Sequence, residues 1–139
     1  MKRAQFDDIQ VGDDLPSVVE GPITRHTLGV YADASGDDNP LHLDTDFARR
    51  AGMPDVFAHG MLSAAYLARV LTQSVKQSAI RRMSVRFVAI THLGDEVRCQ
   101  ARVSEKFIQD GEPCVALELT ARNQSDEIKL IGSAVVALV

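Results

Sequence analysis

Residues 60–76, Gly60-Met-Leu-Ser-Ala-Ala-Tyr-Leu-Ala-Arg-Val-Leu-Thr-Gln-Ser-Val-Lys76, decide the fold of this chain. Met61, Leu62, Ala64, Ala65, Leu67, Ala68, Val70 and Leu71 fall on nearly every side of a helical wheel, so the segment predicts a buried helix. Downstream the apolar period shortens from helical to alternating. Met83, Val85 and Phe87 with Val88 and Ile90, then Val97 to Val103, then Val115 to Ala121, and a last run over 128–139 read as strands. Their connections, His92-Leu-Gly-Asp95, Gln109-Asp-Gly-Glu-Pro113 and Gln124-Ser-Asp-Glu127, are short and turn-like, which predicts that successive strands pair antiparallel. One apolar helix and four long strands, five if residues 15–23 contribute, predict an α+β fold. Its antiparallel sheet wraps around the central helix and buries both without a parallel crossover.

Upstream of the helix, Thr24 or Arg25-His26 offers a helix start, Leu28, Tyr31 and Ala32 an apolar stripe, and Gly36 a stop. Residues 37–58 are then dense in Asp, Asn, Pro and Gly. Asn39-Pro40 and Met53-Pro54 oppose continuous helix, although 45–51 can form a turn or two. Long structured excursions of this kind inside a compact domain tend to be functional.

The whole chain of 139 residues and 15.2 kDa fits a single domain, 1–139, with no room for a separate cofactor-binding unit. Its 45% hydrophobic and 24% charged residues exclude disorder and a membrane-spanning composition. Cys99 and Cys114 form no metal-type pair and are too few for a disulfide framework, pointing to reduced thiols, a cytoplasmic setting and no structural zinc. Cys114 is expected to be partly exposed and inert, on the strand face of Glu118 and Thr120. The N-terminus, with Lys2-Arg3 followed by two Asp pairs, does not read as a signal peptide. No Lys/Arg block suggests nucleic acid. Charge is nonetheless segregated: residues 1–46 carry a net −7 and residues 49–106 a net +6, which would let an anionic ligand approach the middle of the chain.

Glycine-rich phosphate loops, His-Glu-x-x-His and Gly-x-Ser-x-Gly do not occur, so nucleotide-dependent hydride transfer and serine hydrolysis lose their support. The concentrated signal is Ser35-Gly-Asp-Asp-Asn-Pro-Leu-His42. Asp37 and His42 are at most about 17 Å apart if extended, and the intervening Asn39-Pro40 can bend the chain to bring carboxylate and imidazole to one water. Such a pair can take one proton while giving another. A second segment, Ala58-His59-Gly60-Met61-Leu62, places a glycine at the start of the buried helix. There, free amides and the helix dipole can stabilise an oxyanion in dry surroundings. Hydration of an α,β-unsaturated thioester needs a group to position water at the β-carbon, a proton donor for the α-carbon and a hydrogen-bond donor for the developing enolate. Asp37, His42 and Gly60 match these three roles.

The order and spacing of Tyr31, Ser35-Gly-Asp-x-Asn-Pro-x-His42, Ala48 and His59-Gly-Met61 resemble the MaoC-like dehydratases, a hot-dog-fold family that includes (R)-specific enoyl-CoA hydratases. Val85-Arg-Phe87 and Leu93-Gly-Asp-Glu-Val97 extend the resemblance over nearly the whole chain. It implies an Asp37/His42 catalytic dyad with Asp37 as main base, an oxyanion amide from Gly60, a loop shaped by Asn39, and a supporting role for His59. His26 and His92 are expected on the surface or in packing. Met53, Val56, Phe57 and Leu62 are expected to line the acyl site, and Arg81 and Arg82 are possible contacts for coenzyme A phosphates. The implied activity is reversible hydration of a 2-enoyl-CoA thioester to the (R)-3-hydroxyacyl product, with no metal or redox cofactor. A homodimer joined through sheet edges is also implied. Three alternatives keep parts of this pattern: a dehydratase acting on acyl carrier protein, a thioesterase, and a non-catalytic thioester-binding partner subunit.

Overall fold

The computed structural model describes residues 4–138; Lys2-Arg3 and Val139, at the end of the last predicted strand, lie outside the described residues. The elements run in the order β1 (Val18–Glu20), α1 (Arg25–Ser35), α2 (Thr45–Arg50), α3 (Gly60–Ser74), β2 (Ile80–Phe87), β3 (Val97–Gln109), β4 (Glu112–Arg122) and β5 (Ile128–Ala137), with single 3-10 turns at Pro40–His42 and Gln77–Ala79. The strands form one antiparallel sheet in the order β1-β3-β4-β5-β2, which packs on α3. No helix among the described residues is long and apolar enough to cross a membrane.

Local chemistry sets the limits of α1. Thr24 caps it through a reciprocal exchange with Thr27, and Gly36 ends it in the left-handed region at φ 77, its N–H returning to the Ala32 carbonyl at 2.9 Å. Leu28 and Ala32, one turn apart, bury its inner stripe. The motif loop therefore leaves a fixed helix end one residue before Asp37. On the sheet side, Val115, Leu117, Leu119 and Ala121 of β4 and Val97, Cys99, Ala101 and Val103 of β3 alternate inward, each at most 2% exposed. The β3–β4 hairpin turns on Asp110 and Gly111, both at positive φ, and the β4–β5 turn is tied by the Asn123 side-chain oxygen, which accepts from the amides of Ser125 and Glu127.

Three expectations are corrected. The wheel of α3 is not enclosed on all sides. Leu62, Leu67, Val70 and Leu71 are buried, whereas Met61, Ala65, Arg69 and Thr72 form an exposed stripe, because the sheet covers one side only. Strands β2 and β3 do not pair; β2 lies at the far edge beside β5. The connection between them spends its polar groups elsewhere: Val88 and Ala89 donate to the Lys129 carbonyl, the Thr91 carbonyl accepts from Ala58, and Gly94 donates to Ile23. It crosses the end of the sheet instead of turning back, and Val88 and Ile90 are not strand residues. Finally, Cys114 is only 2% exposed, held between Phe107 and Ala137 in the ladder.

Lys129 holds this crossing. Its side chain is 4% exposed, and its ammonium donates to the Ile90 carbonyl at 2.6 Å, pairs with Glu127 and lies 3.6 Å from buried Asp95. Lys129→Met leaves Asp95 buried without its cation, so the unfolding free energy is expected to fall by roughly 3 kcal/mol in urea titration. An unchanged denaturation midpoint would show that the ammonium does not hold the crossing.

Candidate active site

The motif loop is first shaped by its own side chains. The Ser35 hydroxyl accepts from the Asp37 amide, Asp37 Oδ1 accepts from the Asn39 amide at 3.3 Å, and Asn39 Oδ1 accepts from the Leu41 amide at 3.0 Å. Asn39 thus closes the turn that carries the chain through Pro40 to His42. The loop is then tied to the segment leading into α3. His42 Nδ1 donates to the Phe57 carbonyl at 2.7 Å, and His59 Nε2 donates to the Asp37 carbonyl at 2.9 Å. Because a carbonyl only accepts, each bond assigns a ring proton, and Nε2 is left as the His42 nitrogen that can exchange protons with a ligand. The His42 and His59 rings stack with centroids 3.8 Å apart, Phe57 meets the edge of His42 at 5.1 Å, and Tyr31 meets His59 at 4.8 Å.

Asp37, His42 and His59 each offer a ligand-type atom, all within 4.8 Å of one another, so the carboxylate and imidazole expected to act together lie at one place. The same trio has the composition of a metal centre. Imidazole lone pairs lie in the ring plane, however, and two rings stacked at 25° direct theirs side by side rather than toward a common point. The arrangement suits a water held between carboxylate and imidazole better than a coordinated cation.

Gly60 opens α3, and among the described residues no side chain caps this helix terminus; of its first-turn amides that of Leu62 donates to the His59 carbonyl at 3.1 Å. A cavity of about 250 Å³ lies against it. His42, Phe57, Ala58 and Gly60 form one side, and residues 87–91 with Leu130 form the other. His42 and Gly60 therefore face one space, with exposed Asp37 beside His42. A hollow of about 340 Å³ at the opposite side, near Asp8 and Ser74, brings no such chemistry: Asp13 accepts from the Gln10 amide and Asp14 pairs with Arg102.

Of the residues expected to line an acyl site, Phe57 lines this cavity. Val56 and Leu62 are in the core at 2% and 5% exposure, and Met53 packs against it. Arg81 is taken up by Glu112 and the Ser78 carbonyl, whereas Arg82 is exposed. His26 is exposed and His92 half-buried, where its amide donates to Asp95. Sequence reading missed the wall at 87–91. Its signal was buried Lys129, a charge inside the apolar run Ile128–Ala137 that needs a partner from elsewhere. Burial pushes the Cys99 thiol up to about 12, which removes it as a nucleophile.

A second tie fixes the segment that delivers Phe57 to Gly60. Arg25 reaches Asp55 at 2.6 Å and Thr45 at 2.7 Å, Thr45 donates to Asp55, and Asp55 accepts from the Val56 amide. The Arg25 guanidinium, with Thr45 and the Val56 amide, holds the Asp55 carboxyl well below its ordinary value of 3.8. A depressed carboxyl contributes stability above its unfolded pKa and loses it as pH falls through the folded one. The melting-temperature gap between wild type and Asp55→Asn is therefore expected to be widest above about pH 5 and to narrow steadily as the pH is lowered below it. A gap independent of pH would contradict this.

The chain belongs to the MaoC-like domain family: the sequence model of that domain matches residues 8–124. A 3-hydroxybutyryl-CoA dehydratase of Methylorubrum extorquens is 29% identical over 133 residues, covering 94% of this chain and 82% of that protein. An (R)-specific enoyl-CoA hydratase of Aeromonas caviae is 31% identical over 113 residues, covering 80% and 83%. The solved (R)-hydratase from A. caviae matches the fold with a TM-score of 0.80 at 26% identity, over 95% of this chain and 98% of that one. A mitochondrial 3-hydroxyacyl-[acyl-carrier-protein] dehydratase of Arabidopsis thaliana is 34% identical over 89 residues, 64% of this chain and 52% of its own length. The antiparallel sheet packed on a helix is the hot-dog architecture of these hydratases, and the family's homologues are hydro-lyases.

Proposed function

We propose that this chain is a reversible (R)-specific hydratase/dehydratase that adds water across the double bond of a 2-enoyl-CoA to give (R)-3-hydroxyacyl-CoA. The observation that carries the reading is the meeting of Asp37 and His42 beside a cavity that also exposes the start of α3 at Gly60. The thioester carbonyl accepts from the Gly60 amide, which draws electron density off the β-carbon and stabilises the enolate as it forms. A water held by Asp37 and His42 attacks that carbon. Asp37 takes the water's proton, and His42, as imidazolium, gives one from Nε2 to the α-carbon while its Nδ1–H stays on Phe57. Return of the proton from Asp37 to His42 resets the pair, so addition of one water balances. No step needs a metal or redox cofactor.

The two relatives that this chain matches over more than four-fifths of their length act, by their names, on coenzyme A thioesters, which favours that carrier. The Arabidopsis relative and exposed Arg82 and Arg86 support a second reading in which acyl carrier protein presents the substrate. Initial rates with one enoyl group on both carriers decide between them. A kcat/KM higher on coenzyme A is expected; preference for the carrier protein would transfer the assignment, and release of free thiol would indicate a thioesterase. A homodimer is part of the proposal, supported by β2 at the sheet edge and by Phe87, Val88 and Ile90 exposed beside it.

A further inference from the structure

The dyad sits on an exposed loop whose bonds at Ser35, Asp37 and Asn39 are local and cannot fix its distance from Gly60. The bonds that reach beyond the loop from the dyad residues end on Phe57 and His59, within three residues of Gly60. His59 touches both dyad members, one through its ring face on His42 and the other through its Nε2–H on the Asp37 carbonyl. It is itself 2% exposed and braced by Tyr31 at 4.8 Å. Its other nitrogen, Nδ1, is buried without a partner among the described residues, so the ring is oriented by the stack, the Tyr31 edge and a single hydrogen bond.

We propose that His59 is a positioning residue that registers Asp37 and His42 against the Gly60 amide, acting on the carboxylate through the backbone of Asp37 and on the imidazole through ring stacking. The proposal rests on the hydratase reading for its kinetic consequence, while its structural content stands apart from the substrate. Two substitutions separate the contacts. His59→Phe keeps a ring against His42 and removes the donor; because the Asp37 residue it served is exposed, water can replace the lost bond and the fold is expected to hold. His59→Gln keeps an N–H donor of similar reach and removes the ring.

Each variant is expected to lower kcat by roughly 10- to 100-fold with KM changed by less than about threefold, because misplacement of reacting groups acts on the chemical step more than on binding. In an Asp37→Asn background His59→Phe is expected to cost nothing further, since its effect runs through Asp37. A kcat within about twofold of wild type for both variants, or losses that multiply in the double variant, would overturn the proposal. Amide NMR shifts of residues 37–42 provide a readout independent of turnover: they are expected to move in His59→Phe, and unchanged shifts would also overturn it. If wild type hydrates no enoyl thioester yet these shifts move, the hydratase reading falls and the positioning of the loop by His59 stands.

Discussion

Asp37→Asn is expected to cut the turnover number for enoyl-CoA hydration by roughly a thousandfold, the usual scale for removing a positioned acid/base group. The amide keeps the size of the side chain and retains an oxygen for the turn bond from the Asn39 amide, so the loop can keep its shape. What it loses is the ability to accept the proton of the attacking water. Asp37 is exposed and ends no ion pair among the described residues, so the melting temperature should hardly change. His42→Ala is expected to give a comparable kinetic loss. The double variant should be little worse than either single one, because two groups sharing one water act as a unit. Multiplying losses would mean that the groups work on separate steps.

Gly60→Ala carries the second large effect. A Cβ at this position would stand 2.8 Å from the Phe87 ring, on the boundary of the cavity where the thioester must approach. The close atoms belong to the outer part of the Phe87 side chain, which can shift, and alanine is the better helix former. The fold should therefore hold or gain stability while kcat/KM falls by about a hundredfold, the scale of losing one oxyanion donor. Adding Phe87→Ala relieves the ring contact but leaves the methyl beside the amide, so activity is expected to stay low. Recovery in that double variant would show that Gly60 matters only for packing against Phe87.

The parts legible in the sequence were those written in short-range chemistry. Thr24 and Gly36 marked the ends of α1, Asp110-Gly111 marked a hairpin, and alternation at Val97 to Val103 and Val115 to Ala121 marked strands and their inward face. Strand partnership is a different matter. Alternation says that residues 80–87 form a strand but not whether it pairs with β3 or β5, because the partner residues 130–136 lie more than forty residues away in sequence. The motif showed which side chains carry proton chemistry; it did not show that His59 would stack on His42. The apolar neighbours Val56, Phe57 and Leu62 look alike as letters. Only packing sends Phe57 to the cavity and the other two to the core.

The most direct measurement is the stereochemistry of the product. Purified protein is mixed with a short 2-enoyl-CoA, loss of the conjugated thioester absorbance is followed, and the 3-hydroxyacyl product is resolved by chiral chromatography for wild type and Asp37→Asn. Rapid formation of the (R) product is expected from wild type and almost none from the variant. An (S) product, or equal rates from the two proteins, would contradict it.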